Sequence, residues 1–477
     1  MRYQSTRGGA ESISSAEAIL QGIAKDKGLY VPTEFPVFDK DFKELAGMSY
    51  QEIALYVLKK YLSDFEESEL KDVVDRAYDD KFDTPEIAPI AKKCGAYFLE
   101  LYHGKTIAFK DMALSILPYL LTKAAKKLGE DKEIVILTAT SGDTGKAALE
   151  GFADVPNTKI IVFYPANGVS EIQKRQMITQ EGKNTYVIGL KGNFDDAQRG
   201  VKALFNDREL NEELNQKGFL FSSANSINIG RLVPQVAYYV YAYAKLLKDG
   251  EIQEGEKINF VVPTGNFGNI LAAYYAKRMG LPIHKLICAS NENNVLTDFI
   301  RRGEYDIHRE FVVTISPSMD ILISSNLERL LYEISGRDGA FVQSRMNQLD
   351  KEKKYEIPAQ MKEELKDFYG EYATESETLH AIRKVYEESK YVIDTHTAVA
   401  YCVYEKYQQE TKDPTKTVIV STASPFKFTK SVVNALIKDN QEEDEFKLIE
   451  VLADFAKIPV PAVLQGIGQK EILHRTE

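Results

Sequence analysis

The stretch Glu133-Ile134-Val135-Ile136-Leu137-Thr138-Ala139-Thr140-Ser141-Gly142-Asp143-Thr144-Gly145-Lys146-Ala147 decides the fold class. A short run of β-branched and aliphatic residues gives way to a turn rich in hydroxyls and glycine, then to an amphipathic window over 145–152. That is the pattern of a buried strand feeding a helix. The same alternation recurs on both sides. Strands are predicted at 133–137, 159–163, 185–188, 257–262, 285–289 and 417–420. Helices are predicted at 145–152, 171–181, 194–206, 233–247 and 269–279. Alternation of this kind builds α/β domains with open, mostly parallel sheets.

Away from this centre the character changes. Residues 1–85 hold helical windows at 15–25, 50–62 and 67–78 around a proline-containing stretch at 31–36, and read as a helical N-terminal extension. Residues 295–390 are charge-rich, with helices predicted at 360–369 and 375–388, and read as a helical insertion. A chain of 477 residues is too long for one core. A net charge of −11, from 60 basic and 71 acidic residues, argues against nucleic acid or an anionic membrane as partner. Cys94, Cys288 and Cys402 form no C-x-x-C pair, so neither a disulfide framework nor a metal knuckle is expected. The opening residues lack the apolar stretch of a secretion signal, and no apolar run approaches the ~20 residues of a membrane span. A cytoplasmic protein is the expectation.

Four segments carry chemistry. In His103-Gly104-Lys105-Thr106-Ile107-Ala108-Phe109-Lys110-Asp111, Lys110 stands at the start of a helix predicted over 111–128. A helix N-terminus disfavours a cation, so the site favours the neutral, nucleophilic amine that attack on an aldehyde carbon requires. The ordinary alternative is an exposed first-turn lysine. In Thr140-Ser141-Gly142-Asp143-Thr144-Gly145-Lys146 the backbone N–H groups would point at an anion. A P-loop is excluded, because Thr140 replaces its first glycine and Ala147 its magnesium-binding hydroxyl. What remains is a cradle for a small carboxylate, or a plain capped turn. Pro263-Thr264-Gly265-Asn266-Phe267-Gly268-Asn269, again between strand and helix, reads as a phosphate cup without dinucleotide-binding spacing. Ser421-Thr422-Ala423-Ser424-Pro425-Phe426-Lys427-Phe428 ends a strand in hydroxyls, one of which could face a ring nitrogen or cap the next helix.

In this order, the segments resemble the threonine synthase family of fold-type II pyridoxal-phosphate enzymes, whose fold is tryptophan synthase β-like. The resemblance starts at Tyr3-Gln4-Ser5-Thr6-Arg7-Gly8 and Lys27-Gly28-Leu29-Tyr30-Val31-Pro32. It continues through Phe109-Lys110-Asp111, the 140–145 turn, Gly168-Val169-Ser170, Asn225-Ser226-Ile227-Asn228 and the 263–269 cup. It ends with Pro317-Ser318-Met319-Asp320-Ile321 and Asp394-Thr395-His396-Thr397-Ala398-Val399-Ala400, so it spans nearly the whole chain. Two positions depart from the family pattern: Ser424 stands where histidine is common and Thr395 where proline is usual.

The resemblance implies two sheet domains: a smaller mobile one at 111–224, and a larger cofactor domain from 86–110 and 225–477 carrying the 295–390 insertion. It implies that Lys110 carries pyridoxal 5′-phosphate as a Schiff base. Gly265, Asn266, Phe267, Gly268 and Asn269 would hold the cofactor phosphate, and Thr422 would bond the pyridine nitrogen. Ser141, Asp143 and Thr144 would border the amino-acid end of the substrate. Lys174, Asn225, Ser226 and Arg231 are the candidates for its phosphate, a solvated helix face being the other reading of Lys174 and Arg231. The implied activity is that of a carbon–oxygen lyase acting on phosphates, converting O-phospho-L-homoserine and water to L-threonine and phosphate. A monomer is expected, with a dimer as the alternative. The competing readings are a serine/threonine dehydratase, a related phospho-lyase, and a binding protein with a degenerate site.

Overall fold

The structure is a computed structural model describing residues 1–140, 142–166 and 169–475. Ser141 and Gly168 therefore lie outside the described residues. The strands in chain order are β1 (Tyr3–Ser5), β2 (Tyr30–Pro32), β3 (Ile90–Lys93), β4 (Ala96–Glu100), β5 (Glu133–Ala139), β6 (Thr158–Pro165) and β7 (Thr185–Leu190). They continue as β8 (Phe219–Ser222), β9 (Ile258–Pro263), β10 (Ile283–Ser290), β11 (Glu304–Asp306), β12 (Lys354–Glu356), β13 (Phe368–Tyr372) and β14 (Thr417–Ser421).

Two open sheets result, as expected for a fold-type II enzyme. One has the order β7-β6-β5-β8 with every pair parallel. The other has the order β13-β10-β9-β14-β4-β3 and is parallel except for β3, which runs antiparallel to β4 at one edge. The central strands β9 and β14 are buried along their whole length, which is why they read as unbroken apolar runs. The helix Ile229–Lys248 is buried on nearly every side, between the N-terminal helix Tyr50–Tyr61 and the helix Gly268–Met279. A helix apolar all round needs such a setting. It thereby joins the N-terminal region to the larger sheet in one continuous core.

Several elements depart from the sequence expectation. The helix predicted over 111–128 breaks into Asp111–Leu114 and Leu117–Lys127. Pro118 has no N–H to give the Leu114 carbonyl, and its ring clashes with that turn. The helix predicted over 360–369 is only Ala359–Glu363, followed by a 3-10 turn, and 368–372 becomes β13 at the sheet edge. Pairing with β10 overrides the local helical pattern there, and Gly370 lets the strand lie against the helix Val295–Arg302: a Cβ would sit 3.2 Å from the Thr297 Cα. The N-terminal extension is helical as expected but also contains the β1–β2 pair, too short to show periodicity.

The architecture positions the site. The chain leaves β4 toward Lys110, β5 toward Asp143, β9 toward Gly265 and β14 toward Thr422, all at carboxyl ends of strands. Ligand crevices of open α/β sheets lie at such ends.

Candidate active site

The loop after β4 is held rigidly. The Asp111 carboxylate accepts from Thr106 N at 2.7 Å and from its hydroxyl at 2.6 Å, and Ile107 takes a left-handed conformation (φ 52°). At Gly104 a Cβ would stand 2.5 Å from the same carboxylate. Phe109 N then donates to Thr422 O at 2.8 Å, and Ser424 N to Ile107 O at 3.0 Å. These bonds stitch the loop to the end of β14 and bring Lys110 beside Thr422. The Lys110 side chain keeps 14% of its surface exposed. Burial pushes its amine down to about 8; Asp143 opposes this, while the Arg231 and Lys427 charges add to it. The helix after Lys110 has only four residues, so its dipole is a minor contributor and burial is the main cause.

Asp143 faces Lys110 with Oδ2 at 4.0 Å from Nζ. Its other contacts come from across the cleft: Lys427 Nζ at 3.3 Å, the Ser318 hydroxyl at 3.1 Å, and Gln173 Nε2 at 2.7 Å from its own side. Burial alone would raise this carboxyl; the Lys427 and Lys110 charges overcome it and hold it well below the usual range. Lys427 has no exposed surface and also donates to Thr106 O at 3.0 Å. His396 Nδ1 lies 2.8 Å from Asp394, so its Nε2 accepts from Ser318 N at 3.2 Å. Asp143, expected to border the substrate, lies beside Lys110 with its oxygens committed to protein donors. Thr144 is half-buried in the first turn of the helix Asp143–Phe152.

After β9 the chain turns at Gly265–Phe267 into a helix. Phe267 is left-handed (φ 61°) and caps the helix Gly268–Met279, its ring buried against Phe368 at 6.0 Å, so it offers backbone rather than side chain. At Gly265 a Cβ would meet the Ser318 carbonyl at 2.7 Å. Asn266 is exposed, and its carbonyl accepts from Asn326 N at 3.2 Å. Asn269 accepts at Oδ1 from the Tyr238 and Tyr239 hydroxyls, at 2.5 and 2.6 Å, which turns Nδ2 inward. That buried amide has no partner among the described residues. An orphan donor of this kind costs about 1–3 kcal/mol unless something accepts from it.

Arg231 repeats the pattern, and its charge is felt at Lys110. It is buried in the first turn of the helix Ile229–Lys248, donates through Nη1 to Ala224 O at 2.9 Å, and has Nε buried without a partner among the described residues. Burial pushes its guanidinium down to about 10, and no carboxylate pairs with it among the described residues. The preceding turn places Asn225 at the surface, where its Oδ1 accepts from Ile227 N at 3.2 Å, with Ser226 half-buried next to it. Lys174 is half-buried on the helix Glu171–Ile178 and makes no ion pair among the described residues. Of the candidates, Lys110, Asp143, Arg231, Thr422 and the cup converge; Lys174, Asn225 and Ser226 stay peripheral. Lys427, Ser318, His396 and Gln173 were not foreseen as site residues. Their only trace in the sequence is that three of them fall in stretches carrying the family resemblance.

Comparison with known proteins agrees with this geometry. Residues 2–78 match the family model "Threonine synthase N terminus", 83–423 "Pyridoxal-phosphate dependent enzyme", and 397–464 "Threonine synthase, C-terminal". The chain is 38% identical to threonine synthase of Saccharomyces cerevisiae, over 91% of this chain and 89% of that protein. It is 40% identical to human threonine synthase-like 1 over 96% of this chain, and spans 63% of that longer protein. Among solved structures, pyridoxal-phosphate-bound threonine synthase from Brucella melitensis matches with a TM-score of 0.86 at 36% identity, covering 96% of this chain and 95% of that one. A buried lysine with a lowered pKa and a match along nearly the whole chain lead to one assignment: this chain belongs to the threonine synthase family of pyridoxal-phosphate-dependent lyases.

Proposed function

We propose that this chain converts O-phospho-L-homoserine and water to L-threonine and phosphate, in the cytoplasm, where three unpaired cysteines are stable. One observation carries the reading. A buried lysine whose pKa is lowered, in part by the Arg231 charge, accompanies two separate buried donors that have no partner among the described residues, Asn269 Nδ2 at a helix N-terminus and Arg231 Nε. Two phosphates account for both donors, one on the cofactor and one on the substrate. A dehydratase of unphosphorylated amino acids has a use for only the first.

The residues fit pyridoxal phosphate. Lys110 would hold its aldehyde carbon, the backbone of 265–269 with Asn269 Nδ2 its phosphate, and the Thr422 hydroxyl its ring nitrogen as a neutral partner. When bound, the cofactor supplies an electron sink for negative charge developing beside the substrate amine. The chain's own groups do the rest. Displaced by the substrate amine, Lys110 has an amine basic enough near neutral pH to take the Cα proton, to serve proton transfers at Cβ, and to return a proton to Cα. Arg231 holds the phosphate that departs from Cγ; Cγ takes up the proton that Cβ gives up and becomes the methyl group, and water adds its hydroxyl to Cβ while its remaining proton leaves with the phosphate. Asp143, fixed by Lys427 and Ser318, keeps the Lys110 amine aimed into the cleft. Closure of residues 111–224 over the larger domain would keep water out until phosphate has left.

The test is product analysis of the purified chain supplied with pyridoxal phosphate and O-phospho-L-homoserine. Threonine and phosphate in equal amounts support the proposal. Phosphate with 2-oxobutyrate and ammonia would identify a phospho-lyase, and absence of phosphate release would end both readings. Borohydride reduction followed by peptide mapping should tag Lys110 alone, and Lys110→Ala should lose at least about a thousandfold in turnover.

A further inference from the structure

The 265–269 cup and the 225–231 turn are built from segments far apart in the chain, and one buried side chain bonds the turn directly and the cup through Asn326. Arg329, in the helix Leu327–Ile334, has no exposed surface. It makes no ion pair among the described residues. The neighbouring Glu328 is taken by Arg7, through Nε at 3.0 Å and Nη2 at 2.9 Å, and by the Thr6 hydroxyl at 2.5 Å. The Arg329 guanidinium bonds only neutral oxygens: Nε donates to Tyr30 O at 2.9 Å, Nη1 to Asn326 Oδ1, and Nη2 to Ile227 O at 2.6 Å.

Each acceptor belongs to a different device. Asn326 backs the cup: its N–H donates to Asn266 O at 3.2 Å, and a Cβ at Gly268 would lie 3.4 Å from its Nδ2. Its near neighbour Ser324 donates to Gly265 O at 2.7 Å. The Ile227 carbonyl lies in the turn that starts the helix of Arg231, where Asn228 Oδ1 accepts from Gly230 N at 2.8 Å. The same Asn326 Nδ2 reaches Ser226 O in that turn at 3.4 Å. Tyr30 lies in β2, paired with β1, and the Thr6–Glu328–Arg7 cluster ties the end of β1 to the same helix.

Resting on the reading of these clusters as cofactor-phosphate and substrate-phosphate sites, we infer that Arg329 is a positioning residue. It sets the separation between the 265–269 cup and the 225–231 turn, and makes that separation depend on the seating of the β1–β2 pair. A guanidinium suits this task because its N–H groups form a rigid planar fork, whereas a lysine ammonium is a point charge on a flexible stem. Its charge, buried without a carboxylate partner, also favours anions at both neighbouring clusters.

The test compares pyridoxal phosphate with pyridoxal, which lacks the phosphate, by absorbance titration of the cofactor-free protein. Arg329→Lys should weaken pyridoxal phosphate binding about tenfold or more while pyridoxal changes less than about twofold. KM for O-phospho-L-homoserine should rise by a similar factor, with kcat changing much less. Arg7→Gln, at the partly exposed end of the same tether, should shift the pyridoxal phosphate to pyridoxal ratio in the same direction by about threefold. A folded Arg329→Lys with a wild-type ratio, or with both affinities falling together, overturns the inference. Should Arg329→Lys fail to fold, an unchanged ratio in Arg7→Gln overturns it instead. A wild-type chain that does not distinguish the two compounds refutes the cofactor reading, and this inference falls with it.

Discussion

At position 110 two effects of opposite sign meet in one amine. Burial disfavours the ammonium, and the Asp143 carboxylate favours it; burial wins, leaving the group near 8. Bonding to an aldehyde needs the neutral amine, so the rate of cofactor uptake by the cofactor-free chain should climb with pH and level off above about 8. Asp143 acts to raise the lysine pKa, so removing its charge lets that pKa fall. In Asp143→Asn the rising limb should move to lower pH by about one unit, read from stopped-flow absorbance across pH 6–10. A limb that stays in place or moves to higher pH would show that Asp143 is not the counter-charge of Lys110. The residue identity of Lys110 was legible in the sequence, but the cause of its perturbation was not. The sequence pointed to a helix dipole, and the structure supplies a four-residue helix and a buried pocket instead.

Turns between strands and helices hold the donors, and their geometry is tight enough to test. In the cup, the absent side chain at Gly265 makes room for the Ser318 carbonyl, a backbone atom fixed by Ser318 N on His396. Gly265→Ala should therefore displace the cup rather than the neighbour. The expected result is a loss of about tenfold or more in pyridoxal phosphate affinity with unchanged far-ultraviolet circular dichroism; wild-type affinity would show the cup to be looser than the contacts indicate. At this scale the sequence performed unevenly. Strands buried on both faces, such as β9, stood out as continuous apolar runs, and helices such as Phe194–Asn206 through a helical period. Short or edge elements did not. β1, β2 and β4 have three to five residues each, and β13 has a helical pattern that only its pairing with β10 overrules.

For the whole molecule, polar contacts join the 111–224 region to the rest of the chain, among them Asp143 with Lys427 and Ser318, Ile172 N with Glu445, and His474 Nε2 with Gln180 O. A cofactor gripped by the 265–269 cup and Lys110 adds binding energy available only to the folded state. At a free concentration 100 times its Kd that is worth about 2.7 kcal/mol. Scanning calorimetry should show the cofactor-loaded chain melting several degrees above the stripped one, with Tm rising as the logarithm of added pyridoxal phosphate. Identical melting curves would place the cofactor away from the folded core described here. Among the described residues no helix is long and apolar enough to cross a membrane.

Periodicity by itself determined the α/β class, because strand and helix are written in consecutive residues whose spacing obeys local geometry; Lys110 and the 263–269 turn were singled out only once the resemblance of the ordered segments was added. The convergence of Lys427, Ser318 and His396 on Asp143, the inward turn of the Asn269 amide and the three-way reach of Arg329 were decided by tertiary structure alone. The partners in those contacts are separated by tens to hundreds of residues. Hydrogen bonds and Coulomb forces act over a few ångströms of space, and no spacing along the chain encodes which distant segments will be folded to within that range.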